Sequence, residues 1–175
     1  MQAKYIFIVF ILFLTGCKSE YLNFNQKILF EKHYSNWAWG YQNNGFLIDS
    51  LGFVNAFDLS KDTIKWNEPD KDGYIGVAEM NENYSRCDSI ICQINTDTLT
   101  HYTDKIWAAS KGKISEPLNQ MADAGIITYS AFIFDGKTNR YKKVLLKIWG
   151  DTSIDNHAPE AKEIYQWMKK IGQNY

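Results

Sequence analysis

Cysteine, proline and histidine each occur only three times in the 175 residues, and their scarcity removes whole classes of chemistry. His33, His101 and His157 are scattered, none lies four residues from another, and no HExxH arrangement exists, so a catalytic metal centre has no ligand set. The chain also lacks a G-x-S-x-G elbow and a glycine-rich phosphate loop, and Gly112-Lys113 is followed by Ile114 rather than Ser or Thr. Nucleophilic and phosphoryl chemistry therefore have no visible machinery. A pair of catalytic carboxylates is set by separation in space, which spacing in sequence does not reveal. There is no long block of one charge, with 19 basic side chains against 20 acidic, so nucleic acid is not an expected partner. No internal repeat or low-complexity linker interrupts the chain.

What is present begins at the N-terminus. MQAKYIFIVFILFLTGCKSE carries Lys4, an unbroken apolar run from Tyr5 to Leu14, then small residues and a cysteine, the pattern of an export signal. The run is too short to cross a hydrocarbon core of ~30 Å as a helix. Leu14-Thr15-Gly16-Cys17 resembles the lipobox of bacterial lipoproteins. That resemblance implies removal of residues 1–16 and acylation of Cys17 at its thiol and amine, and two or more acyl chains make a stable anchor in membrane lipid. Lys18 after the cysteine fits the outer membrane in the best-known sorting scheme, and Lys18-Ser19-Glu20 is similar to short tags that direct some lipoproteins to the cell surface. Residues 17–26 then form a lipidated N-terminus and tether, and 27–175 a single domain. Losing sixteen residues from 175 leaves 159, the usual size of one domain. With Cys17 spent on lipid, Cys87 and Cys92 remain as an even pair in an oxidising compartment, to be bridged or left as thiols.

Period-two alternation from Lys27 to Leu59 predicts strands, including Trp37, Trp39 and Tyr41 on one face. Phe46–Asp49 and Phe53–Asp58 flank Ser50-Leu51-Gly52 as a hairpin. IITYSAFIF (126–134) and YKKVLLKIW (141–149) predict a second hairpin across Asp135-Gly136, with Lys143 and Lys147 on a solvated side opposite Val144, Leu146 and Ile148. Thr96-Asp97 offers an N-cap to a helix with Leu99, Tyr102, Ile106 and Ala109 on one face and Gly112 at its end. Pro159 opens a second helix with the stripe Ile164, Tyr165, Met168 and Ile171. These elements predict an α+β fold: a mainly antiparallel sheet with two to three helices on one face, in a single domain. The stretches AGIITYSAFIFDGKTNRYKKVLLKIWGD and APEAKEIYQWMKK look like those of short envelope lipoproteins without an assigned function.

EPDKDGYIGVAE, Glu68 to Glu79, partly resembles an EF-hand-type calcium loop. The liganding positions fall on Glu68, Asp70, Asp72, Tyr74, Gly76 and Glu79, with Gly73 at the sharp bend and Ile75 where such loops pair with a partner loop. Glu replaces the usual Asp at the first position, and Thr63-Ile64-Lys65-Trp66 reads as strand rather than as an entering helix. Val77, Met80 and Tyr84 would share one face of an exiting helix. The competing reading is a polar turn at Asp70-Lys71-Asp72-Gly73.

Six Trp and eleven Tyr supply large side chains, and we expect Trp37, Trp39 and Tyr41 to fill a core rather than form a glycan platform. The sequence thus points to a lipid-anchored cell-envelope protein, a non-catalytic binding or structural module with calcium as a candidate brace. The alternatives are a glycan-binding protein or hydrolase of envelope or exogenous glycans, and an inhibitor or immunity-type protein of the envelope.

Overall fold

A computed structural model of the chain describes residues 26–61 and 65–173, so the export signal, Cys17, most of the tether and the 63–64 part of the expected strand lie outside it. β1 (Ile28–Asn36) leads into β2 (Gln42–Asp49) and β3 (Phe53–Asp58). The β2–β3 turn forms at Ser50-Leu51-Gly52 as expected. Gly52 takes the positive φ of +83°, and Asp49 Oδ1 accepts from the backbone N–H of Leu51 and of Phe53, each at 2.9 Å. A polar segment then reaches β4 (Tyr74–Gly76), α1 (Val77–Ser85) and β5 (Ser89–Gln93), followed by α2 (Thr96–Thr103) and a single turn, α3 (Ile106–Ala109). After β6 (Leu118–Asn119) come β7 (Ile126–Asp135), β8 (Arg140–Gly150), β9 (Thr152–Asp155) and α4 (Pro159–Gln173). The fold is α+β, in one sheet ordered β5-β3-β2-β1-β7-β8-β9-β6, with β4 also on β8 and every pairing antiparallel. No described helix is long and apolar enough to cross a membrane.

Side chains alternate across the strands, so the sheet carries two cores. On one face Leu29, Phe46, Ile48, Val54, Tyr129, Val144 and Leu146 pack against Leu99 of α2, Ile106 and Ala109 of α3, and Ala161, Ile164 and Met168 of α4. Trp167 of α4 stacks on Tyr102 of α2 at 4.2 Å and meets Phe30 edge-on at 5.2 Å. On the other face Leu47, Phe57, Phe132 and Tyr141 pack against Trp66, Ile75 and Met80 of α1. Helices thus lie on both faces, not one. α1 brings its apolar stripe Val77, Met80 and Tyr84 over a face that would otherwise be solvated.

Three further differences have local causes. The middle helix is broken at Asp104-Lys105 into α2 and α3, and its N-cap is Asn95, whose side chain accepts from the Thr98 N–H at 2.9 Å. In the β7–β8 hairpin the left-handed residue is Asn139, at φ 53°, rather than Gly136, because Asp135 caps the loop through Lys137 N–H and the Thr138 hydroxyl. A bulge in β8, between the pairs Ser130–Leu145 and Tyr129–Lys147, puts Lys147 on the face of Tyr129 while Lys143 pairs with Phe132 on the other. The two lysines that a period of two places together are therefore on opposite faces, and each is paired and only partly exposed rather than solvated.

Candidate functional site

β1 ends at Asn36, and the aromatic run beyond it does not enter the core. Trp37 and Trp39 are 75% and 78% exposed in the β1–β2 connection, which overturns the expectation that they fill the interior. The alternation breaks because Gly40 adopts φ +99° and turns the chain back toward β2. The loop is held on both sides. Asn36 Oδ1 accepts from Ala38 N–H at 2.8 Å, while its Nδ2 donates to Tyr34 Oη and to the Asp123 carbonyl in the neighbouring 120–125 loop. Asn43 Nδ2 donates to Tyr41 Oη at 2.5 Å, and the Tyr41 ring lies 4.3 Å from that of Trp37. An exposed indole pair on a braced loop loses little entropy when a partner lands on it.

Behind this loop a polar network runs across the second face of the sheet. His33 Nε2 lies 2.7 Å from Asn43 Oδ1, and His33 Nδ1 lies 3.2 Å from Glu68 Oε1. Lys143 Nζ bridges Glu68 Oε2 at 3.6 Å and Glu31 Oε2 at 2.8 Å, and Trp66 Nε1 donates to Glu31 Oε1 at 2.9 Å. Glu31 is only 2% exposed, so this pairing is what makes its charge tolerable there. Gly45 stands opposite His33 in the register, where a Cβ would come within 2.0 Å of the Lys32 carbonyl oxygen and 3.0 Å of the Phe57 ring. Trp66 in turn stacks on Phe57, with ring centroids 3.9 Å apart. Residues 65–76 thus form a strap over the sheet, tied by Trp66, by Glu68 and, further on, by Asp70.

Burial lowers the His33 pKa, but the Glu68 hydrogen bond and the charges of Glu31 and Glu68 overcome it, and the net shift is upward from 6.5. The Glu68 side chain is about half exposed; partial loss of solvation opposes its ionisation, yet His33 and Lys143 hold its carboxyl down at about 2. Lys143 loses solvation too, and Glu31 and Glu68 still raise its pKa.

The positions expected to ligate calcium divide between two tasks. Glu68 turns away toward His33 and Lys143, whereas Asp70 pairs with the guanidinium of Arg140 from β8, whose pKa is raised by Asp70, Glu79 and Asp72. Asp70 Oδ1 also accepts from the N–H groups of Asp72 and Tyr74, Gly73 sits at φ +81°, and these bonds define a polar turn. The carbonyl of Tyr74 accepts from Arg140, and the carboxylate of Glu79 reaches back to the Gly76 N–H at 2.8 Å, at the start of α1. Ile75 does pair across, with Tyr141 of β8. Among the described residues no three His, Cys, Asp or Glu side chains converge as a metal-holding group. Cys87 and Cys92 are free thiols, not a bridge. Cys87 packs with the α1 side of the sheet and Cys92 with the α4 side, which separates their sulfurs.

A cleft of about 730 Å³ opens between β8, β9 and the start of α4, lined by Leu146, Lys147, Asp155, His157, Lys162 and Tyr165. Lys147 Nζ pairs with Asp155 at 2.5 Å and stands 5.6 Å over the ring of Trp149, which is also exposed. Sequence reasoning missed this cleft and the His33 network. Their members are single polar residues on different strands, and the one available signal was the polar pair Glu31 and His33 in the alternation of β1. Comparison with known proteins gives no match to a family model, a curated protein or a solved structure.

Proposed function

We propose that this chain is a lipid-anchored cell-envelope protein acting as a non-catalytic binding module, with the aromatic end of the sheet as its contact surface. The observation that carries the reading is the course of β1. Gln26, nine residues after Cys17, lies at one end of this strand, and Trp37, Trp39 and Tyr41 follow its other end, about 30 Å away along nine residues. The cleft beside α4 carries one carboxylate, Asp155, tied to Lys147, which supports binding more than acid-pair hydrolysis.

Fractionation of the full chain tests both parts. The native protein should require detergent for release, and Cys17→Ser should release it into the soluble fraction of lysed cells. The released Cys17→Ser protein should still co-sediment with insoluble envelope material, and adding Trp37→Ala and Trp39→Ala should abolish that. Continued detergent dependence of Cys17→Ser would remove the anchor, and co-sedimentation indifferent to the two indoles would remove the contact surface.

A further inference from the structure

The exposed aromatic loop and the His33 network meet at one side chain. Asn43 is buried, faces His33 Nε2 with its Oδ1 at 2.7 Å, and donates from Nδ2 to Tyr41 Oη at 2.5 Å. Tyr41 in turn lies against the exposed Trp37, with ring centroids 4.3 Å apart. The Tyr41 hydroxyl has no other hydrogen-bond partner among the described residues, so its own proton stays free for a group that lands beside Trp37. A buried imidazole is thus two hydrogen bonds away from the contact surface.

The direction of these bonds depends on the charge of His33. As imidazolium it donates from both nitrogens, to Asn43 Oδ1 and to the Glu68 carboxylate 3.2 Å from Nδ1. A neutral ring has one N–H. The Glu68 carboxylate, which belongs to no metal-holding group of the described residues, draws that N–H more strongly than a neutral amide does. Nε2 then turns a lone pair toward Asn43 Oδ1, which sets two acceptors 2.7 Å apart. Turning the amide over removes the conflict: Nδ2 donates to Nε2, and Oδ1 accepts from the Tyr41 hydroxyl, whose proton is now committed inward. Around His33 stand Phe57 of β3, Thr128 of β7 and Trp66 of the strap, none of them charged. The charged groups are Glu68 of the strap and Glu31 of β1, with Lys143 of β8 bridging both.

We propose that His33, acting through Asn43, switches the Tyr41 hydroxyl of the contact surface between donor and acceptor, so that partners carrying an acceptor are held more tightly below the His33 transition than above it. The inference rests on the reading of the aromatic loop as a contact surface and names its regulation. One proton passes from the imidazolium to solvent, and the remaining hydrogens only change partners.

The full chain in detergent, labelled with carbon-13 at tyrosine Cζ and histidine Cε1, tests the relay without a ligand. The two signals are identified by their loss in Tyr41→Phe and in His33→Gln. As pH rises, Tyr41 Cζ should shift with the same midpoint as His33 Cε1, and in Asn43→Ser the Tyr41 step should vanish while His33 still titrates. A Tyr41 signal that stays flat while His33 titrates would overturn the switch, as would a His33 that keeps its proton until the fold is lost. The apparent affinity of the released Cys17→Ser protein for insoluble envelope material should fall about fivefold across the same transition, the worth of one hydrogen bond. Adding Tyr41→Phe, which keeps the ring and removes the hydroxyl, should leave the weaker affinity on both sides. An undiminished step in that variant would overturn the proposal. If the Tyr41 signal steps but co-sedimentation ignores Trp37 and Trp39, the contact surface is wrong and its regulation falls with it, although the relay stands.

Discussion

His33 faces an oxygen acceptor from each ring nitrogen, Asn43 Oδ1 on one side and the Glu68 carboxylate on the other, with Glu31 and Lys143 close by. Both contacts are satisfied only by the imidazolium. A folded-state pKa raised above the unfolded value of 6.5 gives stability that is fully present below 6.5 and is lost as pH rises through the folded value. Glu68 acts in the opposite sense. Its carboxyl, held at about 2 against 4.5, contributes above 4.5 and ceases to contribute as pH falls through 2. The melting temperature should therefore peak between about pH 4.5 and 6.5 and decline on the alkaline side. In His33→Gln that alkaline decline should shrink, as read by calorimetric melts in matched buffers. An undiminished decline would show that another group sets it.

The strap formed by residues 65–76 is the element that departs furthest from expectation, and Arg140 explains why. The acids at 70, 72 and 79 have the spacing of a calcium loop, but in space they surround a guanidinium supplied by a strand that follows them by more than sixty residues. Any divalent cation entering this loop competes with that internal charge. Arg140→Met should accordingly raise the affinity for calcium relative to the native chain, measured by calorimetry with the melting temperature followed in parallel. Equal affinities in the two proteins would mean that Arg140 does not compete for these acids. The strap also shows how much of an element is local. The turn at Asp70 and Gly73, the Glu79 contact and the stripe of α1 are all legible in the sequence, because each depends on neighbours within four residues. Whether the strap covers the sheet depends on Glu31, His33 and Lys143, which no local pattern connects to Glu68.

At the scale of the molecule the sheet divides two interiors, and the cysteines report on both. Burial pushes the Cys87 thiol up to about 12, beneath α1, while Cys92 lies near the edge of the sheet on the α4 side. Alkylation of the native protein should label Cys92 faster than Cys87, and denaturation should bring the two rates together. A pair that stays unlabelled after denaturation without reductant would mean a disulfide instead. The same division explains why helices on one face were expected. Strand alternation shows that a second face exists but does not show what covers it, and the short stripe of α1 gives no hint of which side it takes.

The sequence by itself determined the two hairpins, the closing helix, the α+β class and the polar turn, because hydrophobic period, glycine placement and capping act over a few residues. It also carries the lipobox-like stretch, a pattern read directly from consecutive side chains. Tertiary structure alone decided the fate of the conspicuous residues. Trp37 and Trp39 keep the alternation of a strand yet lie beyond the last residue of β1 and stay exposed, while Trp66 in an irregular segment is buried. A bulge in β8 separated two lysines that a regular strand would have aligned, setting one against Glu31 and the other beside a cleft. Burial of a large or charged side chain depends on which distant element comes to cover it, and that choice is made by the whole sheet rather than by the residue's neighbours in sequence.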